Sequence, residues 1–257
     1  MKIKPLGESI SNSATLWRYF DLQKFLSFVL SESILFNRMD KMEDANEGIS
    51  IDQLIMRYGS DVEKKLAKKE KATDSRKELH LKVRQQKYFL SCWLIHHRES
   101  VAMWNSYSDA DGIAIKINAG ELIESIKQNS GGSEHCDKMK SLYFGKVVYK
   151  DFFLPKDRKQ FKEEIEIIGF QKDVCFDYEN EFRFLFKQDL HKHKSQDIQH
   201  INLKLSNFKK INFELVFHPK MENWKKENIV KILQVLKVKN IKPKDSELQL
   251  KEWGNGN

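Results

Sequence analysis

The stretch from Asp177 to Lys187, Asp-Tyr-Glu-Asn-Glu-Phe-Arg-Phe-Leu-Phe-Lys, constrains the fold of this chain more than any other. Successive side chains of a strand point to opposite faces, so Phe182, Phe184 and Phe186 are set to cover a core while Glu179 and Glu181 share the other side. Two like charges held that close repel, and burying either is costly unless a cation or a ligand compensates. By itself the segment reads as a half-exposed amphipathic strand with Arg183 and Lys187 nearby, or as the wall of a cleft where the carboxylates meet a ligand.

With 257 residues and 40% hydrophobic content the chain can build one well-buried core or two small domains, and of these a single domain over 1–257 is expected. Lys and Arg number 45 against 37 Asp and Glu, a balance of +8 that favours nucleic acid, anionic lipid or phosphorylated ligands without choosing among them. A Pro-free, highly charged helical pattern from about 50 to 86 predicts a basic insertion, with Lys64, Lys65, Lys68, Lys69 and Lys71 at its centre. It lacks the interleaved aromatics of a base-stacking platform, so a solvated helix face competes with a phosphate groove. Cys92, Cys136 and Cys175 are widely spaced and odd in number, which offers neither a disulfide framework nor a metal knuckle. The start lacks an apolar leader and no run is long enough to span a bilayer, so a soluble, cytoplasmic protein without a membrane partner is expected.

Along the chain, Asp21 is placed to cap a helix after the aromatic segment Leu16 to Phe20, and Ile34 to Asn37 and Lys87 to Leu94 read as strands. Ser100 to Tyr107 reads as a short helix, 112–117 as a strand, Glu121 to Gln128 as a helix and Asn129 to Ser133 as a loop. Beyond these come a strand at 146–149, a helix at Asp157 to Gly169, a polar loop at Gln188 to His200, two strands, a helix at Glu222 to Leu236 and a short strand near 248–250. Strands in clusters broken by helices, with no Gly-rich phosphate loop, predict an α+β protein rather than a doubly wound nucleotide domain.

Among candidate chemical groups, His96-His97 and His191-x-His193 have no ligand-spaced carboxylate or cysteine and read as solvated. Cys92 reads as a buried, inert thiol, and no Gly-x-Ser-x-Gly turn is present. Met103, Trp104 and Tyr107 share a helical face, suited either to core packing or to a wall for a planar heterocycle. Arg18 is a lone cation among Leu16, Trp17, Tyr19 and Phe20; it needs an anionic partner, either a protein carboxylate such as Asp21 or a ligand phosphate.

Leu16-Trp17-Arg18-Tyr19, Leu35-Phe36-Asn37, Leu90-Ser91-Cys92-Trp93, Met103-Trp104-x-x-Tyr107 with Gly112-Ile113-Ala114-Ile115, and Tyr178-Glu179-x-Glu181-Phe182-Arg183 occur in this order. Together they resemble the mostly bacterial domain-of-unknown-function family 2971. Their skeleton is similar to the arginine, serine and Glu-x-Glu pattern of ADP-ribosyltransferases, with Arg18, Ser91 and Glu179-Asn180-Glu181 as the counterparts, although a full Ser-Thr-Ser motif is absent. The resemblance implies a split pair of small antiparallel sheets flanked by helices, and NAD as substrate with no metal. It implies that Arg18 and Tyr19 lie against the dinucleotide, that Ser91 positions the nicotinamide ribose, and that Trp104 or Tyr107 stacks on the nicotinamide. Glu181 would stabilise the cationic sugar and Glu179 would deprotonate a macromolecular acceptor, protein or nucleic acid. A bacterial toxin or phage-defence effector, with a partner that neutralises or activates it, fits that implication. The rival reading is a binding module in which an Arg–Glu network is structural.

Overall fold

In the computed structural model, residues 2–6, 8–61, 63–64, 81–128, 139–156, 169–188 and 198–248 are described. They form twelve strands, β1 (Lys2–Pro5), β2 (Thr15–Phe20), β3 (Ser33–Arg38), β4 (Tyr88–Ile95), β5 (Ile113–Asn118), β6 (Met139–Lys146), β7 (Val148–Lys150), β8 (Gln171–Asp173), β9 (Glu181–Gln188), β10 (His200–Lys204), β11 (Phe213–Phe217) and β12 (Ile241–Lys244). Five helices accompany them: α1 (Leu22–Ser31), α2 (Ile51–Tyr58), α3 (Val101–Tyr107), α4 (Ala119–Lys127) and α5 (Asn223–Val235). The protein is therefore α+β, as its clustered strands predict.

The chain divides into two compact units, each assembled from three stretches. The first comprises Met1–Ile10, Ile34–Cys92 and Ser130–Leu203. Its strands run β1, β6, β9, β4, with β3 paired to β4 and to β10. The β6–β9 pair is antiparallel and sets Gly145 opposite Arg183, whereas β1 joins β6 in parallel. A separate two-stranded sheet pairs β7 with β8, also in parallel. The second unit comprises Ser11–Ser33, Trp93–Asn129 and Lys204–Asn257. There β2 and β5 pair antiparallel, β5 and β11 likewise, and β12 is added in parallel. The expected antiparallel sheets are thus mixed, because crossover connections bring β1, β8 and β12 alongside strands of the same direction.

Local chemistry explains the boundaries. Asp21 caps α1 as expected, its Oδ1 accepting from Lys24 N at 2.7 Å, and Glu32 closes the helix in the left-handed region at φ 51°. The long helix expected over 50–86 is interrupted. Ser50 and Gln53 form a capping box that starts α2, and Gly59 ends it. A second box at Ser60 and Glu63 then restarts helical backbone, with Ser60 N donating to Glu63 Oε2 at 2.8 Å. Residues 81–85 are helical again, while Lys65, Lys68, Lys69 and Lys71 lie outside the described residues. So do Cys136, His191, His193, the loop at 129–133, all but the last residue of the helix expected at 157–169 and most of the strand expected at 248–250.

Each unit has its own core. In the first, Phe182, Phe184 and Phe186 are fully buried as the alternation predicts; Phe182 and Phe184 meet edge to face at 5.3 Å, and Phe36 packs on Phe186 at 4.6 Å. In the second, Phe28 touches Phe20, Phe208 and Phe213 at 5.3–5.8 Å between ring centres.

Candidate functional site

The two glutamates that share one strand face in the sequence pattern do not share a strand. Val174–Glu179 forms a 3-10 helix, capped by the Asp173 carboxylate, which accepts from Cys175 N at 3.0 Å. Asn180 then takes the left-handed conformation at φ 34°, and Glu181 opens β9. Asn and Asp tolerate that conformation best among residues other than glycine, so Asn180 turns the chain sharply between the two carboxylates. The turn brings both onto one cation all the same: Lys172 Nζ lies 3.0 Å from Glu181 Oε1 and also bonds Glu179 Oε2.

The face opposite the phenylalanines is not solvated. Arg183 is fully buried in the first unit and uses its whole fork. Nη1 and Nη2 donate to the two oxygens of Glu47 at 2.6 and 2.9 Å, Nε donates to Glu181 Oε2, and Nη1 also reaches Gly169 O at 2.9 Å. Glu47 was not singled out in the sequence. Its position depends on a tight turn in which Glu47 N donates to Asp44 O, followed by Gly48 at φ 72°. A Cβ at Gly48 would meet Met39 Sδ at 2.4 Å and would have to sit on left-handed backbone, so any other residue is strained there. The Asp-x-x-Glu-Gly spelling of 44–48 is the sequence trace of that turn.

Three carboxylates, Glu47, Glu179 and Glu181, thus surround two cations, Arg183 and Lys172. With every group ionised the cluster carries one surplus negative charge, which a buried site resists. Glu179 relieves it. Burial, and then the hydrogen bond and charge of Glu181, push the Glu179 carboxyl up to about 7. Burial also works against Glu181, yet Arg183, the hydrogen bond from Glu179 and Lys172 hold it well below the usual carboxylate range. Lys172 loses hydration on burial, but Glu181, Glu47 and Glu179 keep its pKa raised. The backbone N–H of Glu181 donates to Tyr149 Oη at 2.9 Å, fixing where β9 begins. The result is a neighbouring acid and base: a carboxyl that holds a proton near neutrality beside a carboxylate that does not.

The other expected site residues divide between the units. Ser91 lies fully buried on β4 in the first unit. Arg18, Tyr19, Trp104 and Tyr107 belong to the second. Arg18 lies 5.5 Å from the ring centres of both Phe20 and Trp93. Asp21, the carboxylate nearest to it in sequence, pairs with Lys24 at 2.7 Å. Tyr19 and Trp104 are buried and meet edge to face at 4.8 Å. Tyr19 Oη accepts from Ser100 N at 2.9 Å, and Trp104 Nε1 donates to Glu99 Oε2 at 3.0 Å. These rings pack in the core of the second unit, and Tyr107, at the end of α3, is exposed.

Cys92 is held well above its ordinary range by burial, and burial with the Asp173 hydrogen bond raises Cys175 to about 11, so neither thiol ionises readily at neutral pH. Among the described residues no group of three or more His, Cys, Asp or Glu side chains is set to hold a metal ion, and no helix is long and apolar enough to cross a membrane. No family model matches the chain and no curated protein matches it, so the likeness to family 2971 rests on the motifs alone.

Proposed function

We propose that the protein is an NAD-dependent ADP-ribosyltransferase in which Glu179 and Glu181 serve cleavage and transfer at a ribosyl C–N bond. The observation that carries this reading is the split between the two carboxyls, one raised to about 7 and its neighbour held ionised. Pairs pushed apart in this way divide acid and base work between them. In the proposed reaction the bond from the ribose C1′ to the nicotinamide nitrogen breaks, and its electron pair leaves with the ring, which becomes neutral. The charge of Glu181 stabilises the cationic sugar that remains. Ionised Glu179 accepts the proton that the incoming acceptor loses as it bonds C1′. The acceptor is macromolecular, and the +8 charge favours nucleic acid over an acidic-surfaced protein only modestly.

The test is nicotinamide release from NAD by the purified chain, alone and with cell lysate. Glu179→Gln copies the shape of the protonated carboxyl, so the fold is expected to survive while release falls by about 100-fold. If Glu179→Gln releases nicotinamide as fast as the parent chain, Glu179 is not catalytic, and equal release by a folded Glu181→Gln excludes Glu181 as well. A second reading, a structural ion network in a binding module, draws on the fully buried, bidentate Arg183–Glu47 pair. It expects no thermal shift with NAD and no nicotinamide release from the parent chain with or without lysate.

A further inference from the structure

The first unit also contains a cavity of about 230 Å³ between the 39–45 turn, α2 and the helical residues 81–85. Pockets for drug-sized ligands begin near roughly 300 Å³, so this one suits a single ring system. Met39, Met42 and Leu81 supply apolar walls, and methionine sulfurs make favourable contacts with aromatic rings. Two polar residues in the lining are more than nine-tenths buried, Asp44 at 8% and Gln85 at 7% exposure. Asp44 Oδ1 accepts from Asn46 N at 2.8 Å, and Gln85 Nε2 donates to Glu47 O at 2.7 Å. Asp44 Oδ2 and Gln85 Oε1 receive no hydrogen bond from the described residues. Trp93 Nε1 and Asn240 Oδ1 are the fully enclosed side-chain atoms without a partner among the described residues, so Asp44 Oδ2 and Gln85 Oε1 are open to a donor from the cavity.

The other lining carboxylate, Asp40, is already taken by Arg38, whose Nε and Nη2 donate to it at 2.6 and 3.1 Å. Arg57 and Lys82 also line the cavity but are exposed, and Lys82 has no ion pair among the described residues. The chemistry is therefore graded, with two acceptors in the buried part, apolar walls, and two cations on the solvent side. A simple alkylammonium would need only Asp44 and would leave the apolar walls and the cations unused.

We infer that this cavity binds a mononucleotide whose base carries an exocyclic amino group, with that group donating to Asp44 and Gln85, the ring between the methionines, and the phosphate on Arg57 and Lys82. The inference concerns binding without turnover and does not rest on the proposed transfer, although Asp44 also feels the charges of Lys172 and Arg183 and Gln85 bonds Glu47 O.

Calorimetric titration of the full chain with AMP, IMP and adenosine tests it. AMP is expected to bind at least tenfold more tightly than IMP, which presents an oxygen in place of the amino group, and more tightly than adenosine. Asp44→Ala is expected to weaken AMP binding about tenfold or more, the size of one lost buried hydrogen bond to a charged group. Arg57→Ala combined with Lys82→Ala is expected to bring AMP down to the level of adenosine. Should Asp44→Ala not fold, Gln85→Leu removes the second acceptor and is expected to narrow the gap between AMP and IMP. Equal affinity for AMP and IMP, unchanged affinity in whichever of these variants folds, or no AMP binding at millimolar concentration overturns the assignment.

Discussion

At the scale of single residues, Glu179 links stability to pH in the direction opposite to most carboxylates. Its folded pKa is raised from 4.5 to about 7, so between those values the folded chain binds more protons than the unfolded chain. Stability from this group is present below about 4.5 and declines as pH rises towards 7. Glu181, held well below 4.5, contributes stability above the unfolded value and loses it as acid protonates it. In denaturant melts at a series of pH values, Glu179→Gln should therefore flatten the decline between about pH 4.5 and 7. An unchanged pH profile would mean that Glu179 is ionised in the folded protein throughout. Arg183→Met leaves Glu47 and Glu181 without their shared partner and should cost about 3–5 kcal/mol, measured by urea unfolding. The alternation of Phe and charged residues from 181 onward was legible in the sequence because it follows strand geometry. The partner Glu47, 136 positions away from Arg183, was not, because nothing local to either residue encodes their meeting.

At the scale of elements, caps and glycines decide where helices stop, and their effects are local enough to test one at a time. Ser50→Ala removes the side-chain acceptor of the first capping box and should destabilise the first unit by about 1 kcal/mol. Gly48→Ala should cost more, because the left-handed backbone and the contact with Met39 both resist a Cβ; thermal melts compared with Ser50→Ala check the order. Both capping boxes, Ser50-x-x-Gln53 and Ser60-x-x-Glu63, were present as sequence signatures. Continuous helical periodicity across 51–64 hid the break, since periodicity does not register that Gly59 and Ser60 end one helix and begin another. In the same way Glu179 was read as strand, because the two-residue spacing matches strand alternation and the 3-10 turn at 174–179 has no strong composition of its own.

Across the whole molecule the surplus of +8 acts without reference to any one site. It predicts retention on immobilised RNA or DNA that falls steeply with added salt and persists in Glu179→Gln; retention independent of salt would exclude a mainly electrostatic surface. The sequence by itself determined the α+β class, the phenylalanine face of β9, the cap of α1 and the net charge, because each follows from neighbouring side chains or from a sum over all of them. Only the tertiary structure decided that Glu179 and Glu181 share a lysine in a buried cluster, that Glu47 completes it, and which carboxyl keeps its proton. Those outcomes depend on distance and on exclusion of water between groups far apart in the chain, quantities that no local pattern of residues carries.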